Sequence, residues 1–186
     1  FDLDDQGRRA LAWREEGGYA PGGRVFDIGN ATAAALRRIA AGAPAGEAGA
    51  ADAKGNGSLM RILPLALARR EAEAGDLVDQ AARASRVTHG SAEAQVACAL
   101  HVLAARRLLG GERDRVRVLD RATRDLRAAL AARGLPGSPE AAAPAEAVAA
   151  LEAFLAGPGR TGSGRVVESF WSAWDAFAGA ASYAEA

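Results

Sequence analysis

The segment of this chain best suited to chemistry is Gly55-Asn56-Gly57-Ser58-Leu59-Met60-Arg61-Ile62-Leu63-Pro64. Glycines flank Asn56 on both sides, directly ahead of residues that favour a helix. Backbone N–H groups at a helix start, free of side-chain bulk, approach a phosphate or a sugar closely, and the helix dipole favours an anion there. An ordinary loop-to-helix turn is the plain alternative. A second segment, Phe26-Asp27-Ile28-Gly29-Asn30-Ala31-Thr32, also sets a glycine and polar side chains before a helix. There Asn30 or Thr32 could equally be a simple N-cap, and Asp27 is electrostatically comfortable beside a helix start without further purpose. The third is Val87-Thr88-His89-Gly90-Ser91, where His89 falls in a break between two helices and can be aimed into a cleft, or can be a satisfied structural residue.

Other candidates carry less. The glycine-rich stretch from Gly157 to Arg165 fails as a phosphate loop, because no strand precedes it and no Lys-Ser or Lys-Thr follows its glycines; it reads as a flexible surface loop. Asp2, Asp4 and Asp5 cluster where a helix cap is expected and have no second acidic cluster to face. Asp52, Glu93, Glu168 and Asp175 are scattered over what read as solvated faces, so no convergent oxygen cage for a hard cation is visible. His101 lies within a helix and receives no role.

The elements that must position these residues are helices. Alternating runs of β-branched or aromatic residues are absent, whereas Ala, Leu, Arg and Glu, strong helix formers, dominate. The pattern predicts a first helix capped by Asp4 or Asp5 and ending at Glu16 before Gly17-Gly18, and a second running to about Ala41. A long connection over residues 42–57 leads to a third helix from about Ser58 to Ala72, kinked or confined by Pro64. A fourth, capped by Asp76, runs to about Val87, and a fifth, capped by Ser91, to Leu109, with Ala92, Val96, Ala99, Leu100 and Leu103 on its core face. A sixth spans about Asp114 to Arg133 and a seventh about Ala145 to Leu155, after a loop from Leu135 to Pro139. The eighth starts near Arg165 and carries a broad apolar stripe through Phe170, Trp171, Trp174 and Phe177. The fold class is all-α, a helical bundle with no internal repeat.

Composition narrows the partners. The 186 residues suit one domain, and 49% hydrophobic with 25% charged residues is the balance of a globular chain. Twenty-three basic residues offset 23 acidic ones, so charge gives no reason to invoke nucleic acid or an anionic membrane. Lys54 is the single lysine, and the arginine excess reads as compositional bias. Cys98 has no cysteine partner, which fits a reducing cytoplasm, and no apolar run is long enough to span a bilayer. The chain begins at Phe1, its single methionine is Met60, and Ser182-Tyr183-Ala184-Glu185 has the spacing of a capping box with almost no helix after it. It reads as a piece of a longer protein.

In order and spacing these segments resemble the ADP-ribosylglycohydrolase family. The resemblance runs through Trp13 with Gly18-Tyr19 and the Pro21 loop, Phe26-Asp27-Ile28-Gly29-Asn30, Gly55 to Leu65, and Thr88-His89; the aromatic helix from Phe170 to Phe177 and the start at Ser182 also look like the family's late helices. Residues 110–165 are the least diagnostic. The resemblance implies a compact orthogonal helical bundle, truncated at both ends, with residues 1–186 forming part of one domain. It further implies a cleft that binds ADP-ribose, or an ADP-ribosylated protein, beside two magnesium ions, with a metal-positioned water attacking the anomeric carbon of the distal ribose. Asp27, Gly29, Asn30, Asn56 and Gly57 would then line the nucleotide-binding cleft and His89 its wall, with Met60 and Arg61 bracing the turn. The family's metal ligands come chiefly from aspartate motifs that would precede Phe1 and follow Ala186, so none is carried onto a residue here, and the piece alone is expected to be inactive. The alternatives are a non-catalytic, crystallin-like relative that kept the scaffold and lost the ions, and an unrelated helical domain that mediates protein contacts.

Overall fold

The computed structural model describes residues 1–136, 143–157, 161, 163–182, 184 and 185. Among them every regular element is helical: α1 (Leu3–Glu16), α2 (Asn30–Ala40), α3 (Leu63–Ala68), α4 (Ala74–Arg86), α5 (Ala92–Leu109), α6 (Arg115–Arg133), α7 (Pro144–Ala156) and α8 (Val166–Gly179), with short 3-10 turns at Pro21–Gly23, Ala45–Glu47 and Leu59–Arg61. Among the described residues, extended backbone pairs only in two isolated bridges, Ala50 with His89 and Gly55 with Arg165. The all-α expectation holds.

Helix α5 is the axis of the molecule. Its fifth-helix expectation was a single core face, yet Ala94 to Leu100 and Val102 to Ala105 are all buried. The reason lies in its composition: alanine is small enough for neighbours to approach from every side, and a helix apolar all round belongs in an interior. Helices α3, α4, α6, α7 and α8 all pack against it. On α8, Phe170 and Trp171 are buried, Phe154 of α7 meets Phe170 edge-on at 5.2 Å between ring centroids, and the Trp171 indole N–H donates to the Phe154 carbonyl at 3.0 Å.

Several boundaries differ from the sequence reading. Asp2, not Asp4 or Asp5, caps α1 by accepting from the Asp5 N–H. The cap position of α4 is Glu73, and Asp76 lies within its first turn. Ser91 caps α5 as expected, accepting from the Ala94 N–H, and Asp114 caps α6. The single helix expected from Ser58 to Ala72 is broken in two, a 3-10 turn and then α3, because Pro64 has no N–H and the helix has to restart with it in the first turn. Within the connection over 42–57, Ala45 and Ala48 are buried, and the Gly49 N–H donates to the Arg86 carbonyl at 2.8 Å. Of the Leu135–Pro139 loop, residues 137–139 lie outside the described residues, as do Tyr183 within the Ser182–Glu185 spacing and residues 158–160 and 162 of the glycine-rich stretch. The Glu185 carboxylate accepts from the Ala181 N–H at 2.8 Å.

Candidate functional site

The loops that end α4, precede α2 and precede α3 meet at one end of the bundle. A cleft of about 1010 Å³ opens there, and Asp27, Gly29, Asn30, Asn56, Gly57 and His89 all line it. Residues from three separate segments of the chain are thus brought to one surface, with Trp13 and Arg9 of α1 on another side. The volume is that of a pocket for a ligand of substantial size.

The loop before α2 leaves its polar groups unspent. Gly29 occupies the cap position and no side chain caps the helix, so neither Asn30 nor Thr32 is consumed as an N-cap. Asp27 and Asn30 are exposed. The Asn56 turn is different, because Asn56 commits its backbone N–H and one amide N–H within the protein. Asn56 N–H donates to the Gly164 carbonyl at 3.0 Å, and its side-chain amide donates to Ser169 Oγ at 2.8 Å. The Val166 N–H donates to the Lys54 carbonyl at 2.9 Å. The stretch read as a free surface loop therefore clasps the Asn56 turn at its far end, and Gly164 reaches the cleft itself. Glu93, read as solvated, instead pairs with Lys54 at 2.9 Å and lies 3.5 Å from Arg165, which ties the same turn to the start of α5.

The glycines around Asn56 have a steric cause. A Cβ on Gly57 would sit 2.9 Å from His89 Cε1 and 3.2 Å from Thr32 Oγ1, and one on Gly55 3.3 Å from His89 Nε2. The imidazole packs flush against this backbone, which only glycine permits. His89 is 2% exposed. Burial first, and the Arg61 guanidinium second, push its pKa down to about 4, so the ring is neutral near pH 7.

Beneath the ring lies a buried polar chain. Ser85 Oγ is 2.9 Å from the His89 carbonyl and 2.9 Å from Ser58 Oγ, and Cys98 Sγ is 3.5 Å from Ser58 Oγ. A hydroxyl has one proton and a carbonyl can only accept. Ser85 therefore donates to the His89 carbonyl, Ser58 to Ser85, and the thiol to Ser58, with every proton used. Burial raises the Cys98 thiol pKa, keeping it protonated as this chain requires. Arg61 does brace the turn, donating to the Ala84 carbonyl at 2.9 Å and to Thr88 Oγ1 at 2.8 Å. Met60 does not: it is 77% exposed at the cleft, because the 3-10 turn rotates it out of the packed face. Arg61 and Arg69 line the cleft against the carboxylate of Asp27, the one carboxylate among its described lining residues, while Arg9 is paired with Asp5 at 2.7 Å; the balance favours an anionic ligand.

The family model described as ADP-ribosylglycohydrolase matches residues 1–186, the whole chain. The chain therefore belongs to the ADP-ribosylglycohydrolase family, a class of glycohydrolases whose substrates carry ADP-ribose. No curated protein and no solved structure matches it. Among the described residues no group of three His, Cys, Asp or Glu side chains could hold a metal ion, so these residues by themselves do not fit a dinuclear magnesium centre. Nor is any described helix long and apolar enough to cross a membrane.

Proposed function

We propose that the cleft holds ADP-ribose and that the protein removes it from modified side chains or related ADP-ribosyl substrates by glycosidic hydrolysis. The observation that carries this reading is the convergence of Asp27, Gly29, Asn30, Asn56, Gly57 and His89 on one cleft in which arginines outnumber carboxylates. The free polar groups of Asp27 and Asn30 suit ribose hydroxyls, and Arg61 and Arg69 suit the diphosphate, where charge-assisted hydrogen bonds are strongest. Asn56 acts mainly by holding its turn, since its backbone N–H and one of its two amide N–H groups are already engaged. Two magnesium ions would orient the ribose and help generate the nucleophile, with ligands other than the described residues. A reducing cytoplasm suits the single, buried thiol of Cys98. A non-catalytic, crystallin-like binding protein is the second reading, in which the cleft would hold ADP-ribose without hydrolysing its glycosidic bond.

Calorimetric titration of residues 1–186 with ADP-ribose tests the cleft. Saturable binding, weakened at least about tenfold in Asn30→Ala, is the expected outcome. Heats indistinguishable from dilution would sink the reading. The same chain is expected to release no ADP-ribose from a modified protein with or without magnesium; magnesium-dependent release would overturn that expectation and remove the non-catalytic alternative.

A further inference from the structure

His89 Nδ1 lies 2.8 Å from Thr88 Oγ1, and that same oxygen accepts from the Arg61 guanidinium at 2.8 Å. Thr88 is 3% exposed, so water has little access to its hydroxyl. If the ring donated through Nδ1, Thr88 Oγ1 would accept twice and its own proton would be left buried without an acceptor, a costly arrangement. Arg61 can only donate, and it occupies one lone pair of that oxygen. The arrangement that satisfies every group has Thr88 donating to Nδ1. The ring proton is then on Nε2, which has no hydrogen-bond partner among the described residues and belongs to a side chain lining the cleft.

From this geometry we infer that Arg61 and Thr88 are positioning residues that lock His89 in the Nε2–H tautomer, making it a hydrogen-bond donor to an acceptor oxygen of the bound ligand. The inference rests on the ADP-ribose reading for the ligand, but the relay is a property of the protein alone. It excludes two other uses of the ring. With Nδ1 occupied by the Thr88 proton and Nε2 carrying its own, neutral His89 has no free lone pair. It is then neither a general base for the attacking water nor a metal ligand. The Arg61 guanidinium acts twice, once by orienting the Thr88 hydroxyl and once by disfavouring a second proton on the ring. Gly55 and Gly57 complete the device, since a methyl group on either would press on the Nε2 side of the imidazole.

The experiment is a long-range ¹⁵N–¹H spectrum of the 186-residue chain labelled at histidine, which contains two histidines, His89 and His101. His89→Gln assigns the signals. The expected spectrum shows His89 with a protonated Nε2 and an unprotonated Nδ1, the Nε2–H form exceeding the other by roughly tenfold or more, the ratio one ordinary hydrogen bond sustains. Thr88→Val should bring the two tautomers to comparable populations, and Thr88→Ser should restore the wild-type spectrum. An Nδ1–H signal in the wild type, or a tautomer ratio unmoved in folded Thr88→Val, would overturn the inference. Arg61→Met gives a second route should Thr88→Val not fold: it should reduce the Nε2–H excess, and an unchanged ratio would count equally against the relay. Adding ADP-ribose separates the two readings. A shifted Nε2–H signal supports both; an unperturbed signal under saturating ligand removes the ligand contact and with it the donor role; and absence of binding condemns the ADP-ribose reading while the tautomer itself is still decided by the unliganded spectra.

Discussion

Helices α1 and α5 are built from similar helix formers and end up in opposite environments. From Ala94 onward α5 is buried on nearly every side, whereas α1 buries only Gly7 along 14 residues. Charge placement accounts for the difference. Charged residues on α5 stand at its two ends, Glu93, Arg106 and Arg107, while α1 carries them throughout, from Asp4 and Asp5 to Glu15 and Glu16. The cleft lies where these two kinds of structure meet. One wall, with His89 and Arg61, is anchored in the core around α5; the other, with Arg9 and Trp13, is a helix resting on the surface. A site built this way has a fixed part that sets hydrogen-bond geometry and an outer part free to differ in what it admits.

The largest test of that contrast is on the core side. Leu103, 1% exposed, packs in the interior around α5, and Leu103→Ala should lower global stability by about 2–5 kcal/mol through lost burial and a residual cavity. Urea unfolding measures it. A loss near that of a surface substitution would mean that α5 is not the axis on which the bundle depends.

Next is His89, which belongs to the cleft but is buried like a core residue. Its folded pKa of about 4 lies below the ordinary 6.5. Above pH 6.5 the ring is neutral whether folded or not and costs nothing. As pH falls through that window the unfolded chain takes up the proton first, so stability is lost progressively and levels off near pH 4. The loss from this ring should be on the order of 3 kcal/mol. Unfolding curves of wild type and His89→Gln at pH 7 and pH 4.5 check it: the difference between the two proteins should narrow at the lower pH, and parallel losses would show that another group is responsible.

Gly57→Ala confines the damage to the cleft. The added methyl would stand 2.9 Å from the His89 ring, so the ring or the turn has to shift. Stability should fall by about 1–3 kcal/mol, while ADP-ribose affinity should fall at least about tenfold, because a displaced donor no longer meets its acceptor. Unchanged affinity by calorimetry would separate the turn from the ligand.

The same contrast explains what was legible in the sequence. Helix existence was readable throughout, since propensity and periodicity act locally, and so was the Ser91 cap, which is adjacent to what it caps. The three candidate segments could be picked out because glycines beside polar residues at helix starts are locally conspicuous. Why Gly55 and Gly57 are there could not be read: the His89 ring that requires them is more than thirty positions away. The clasp of Asn56 by Gly164 and Ser169 was hidden for the same reason, across a sequence separation of 113 for the side-chain bond. Arg61 was visible only as a brace, because its two acceptors, Ala84 O and Thr88 Oγ1, come together only when the end of α4 packs over the 3-10 turn. The all-round burial of α5 was missed because its periodicity shows a best face and cannot count how many neighbours arrive.

The smallest effect is expected where neither region is touched. On α6, Arg124 pairs with Asp120 one turn away at 2.9 Å, with the two side chains 62% and 63% exposed. Water screens both charges, and ordering two long side chains offsets much of the attraction, so Arg124→Ala should change stability by no more than about 0.5 kcal/mol. The contrast on the same helix is Asp125, which meets Arg107 of α5 at 2.5 Å with exposures of 31% and 21%. Arg107 also faces Glu112 at 3.6 Å, and Arg121 faces that carboxylate at 3.3 Å, so removing Asp125 disturbs a network at the end of the buried helix. Asp125→Asn should therefore cost measurably more than Arg124→Ala in the same urea titration. Equal costs would mean that proximity to α5 gives its ion pairs no advantage over those on the open face of the bundle.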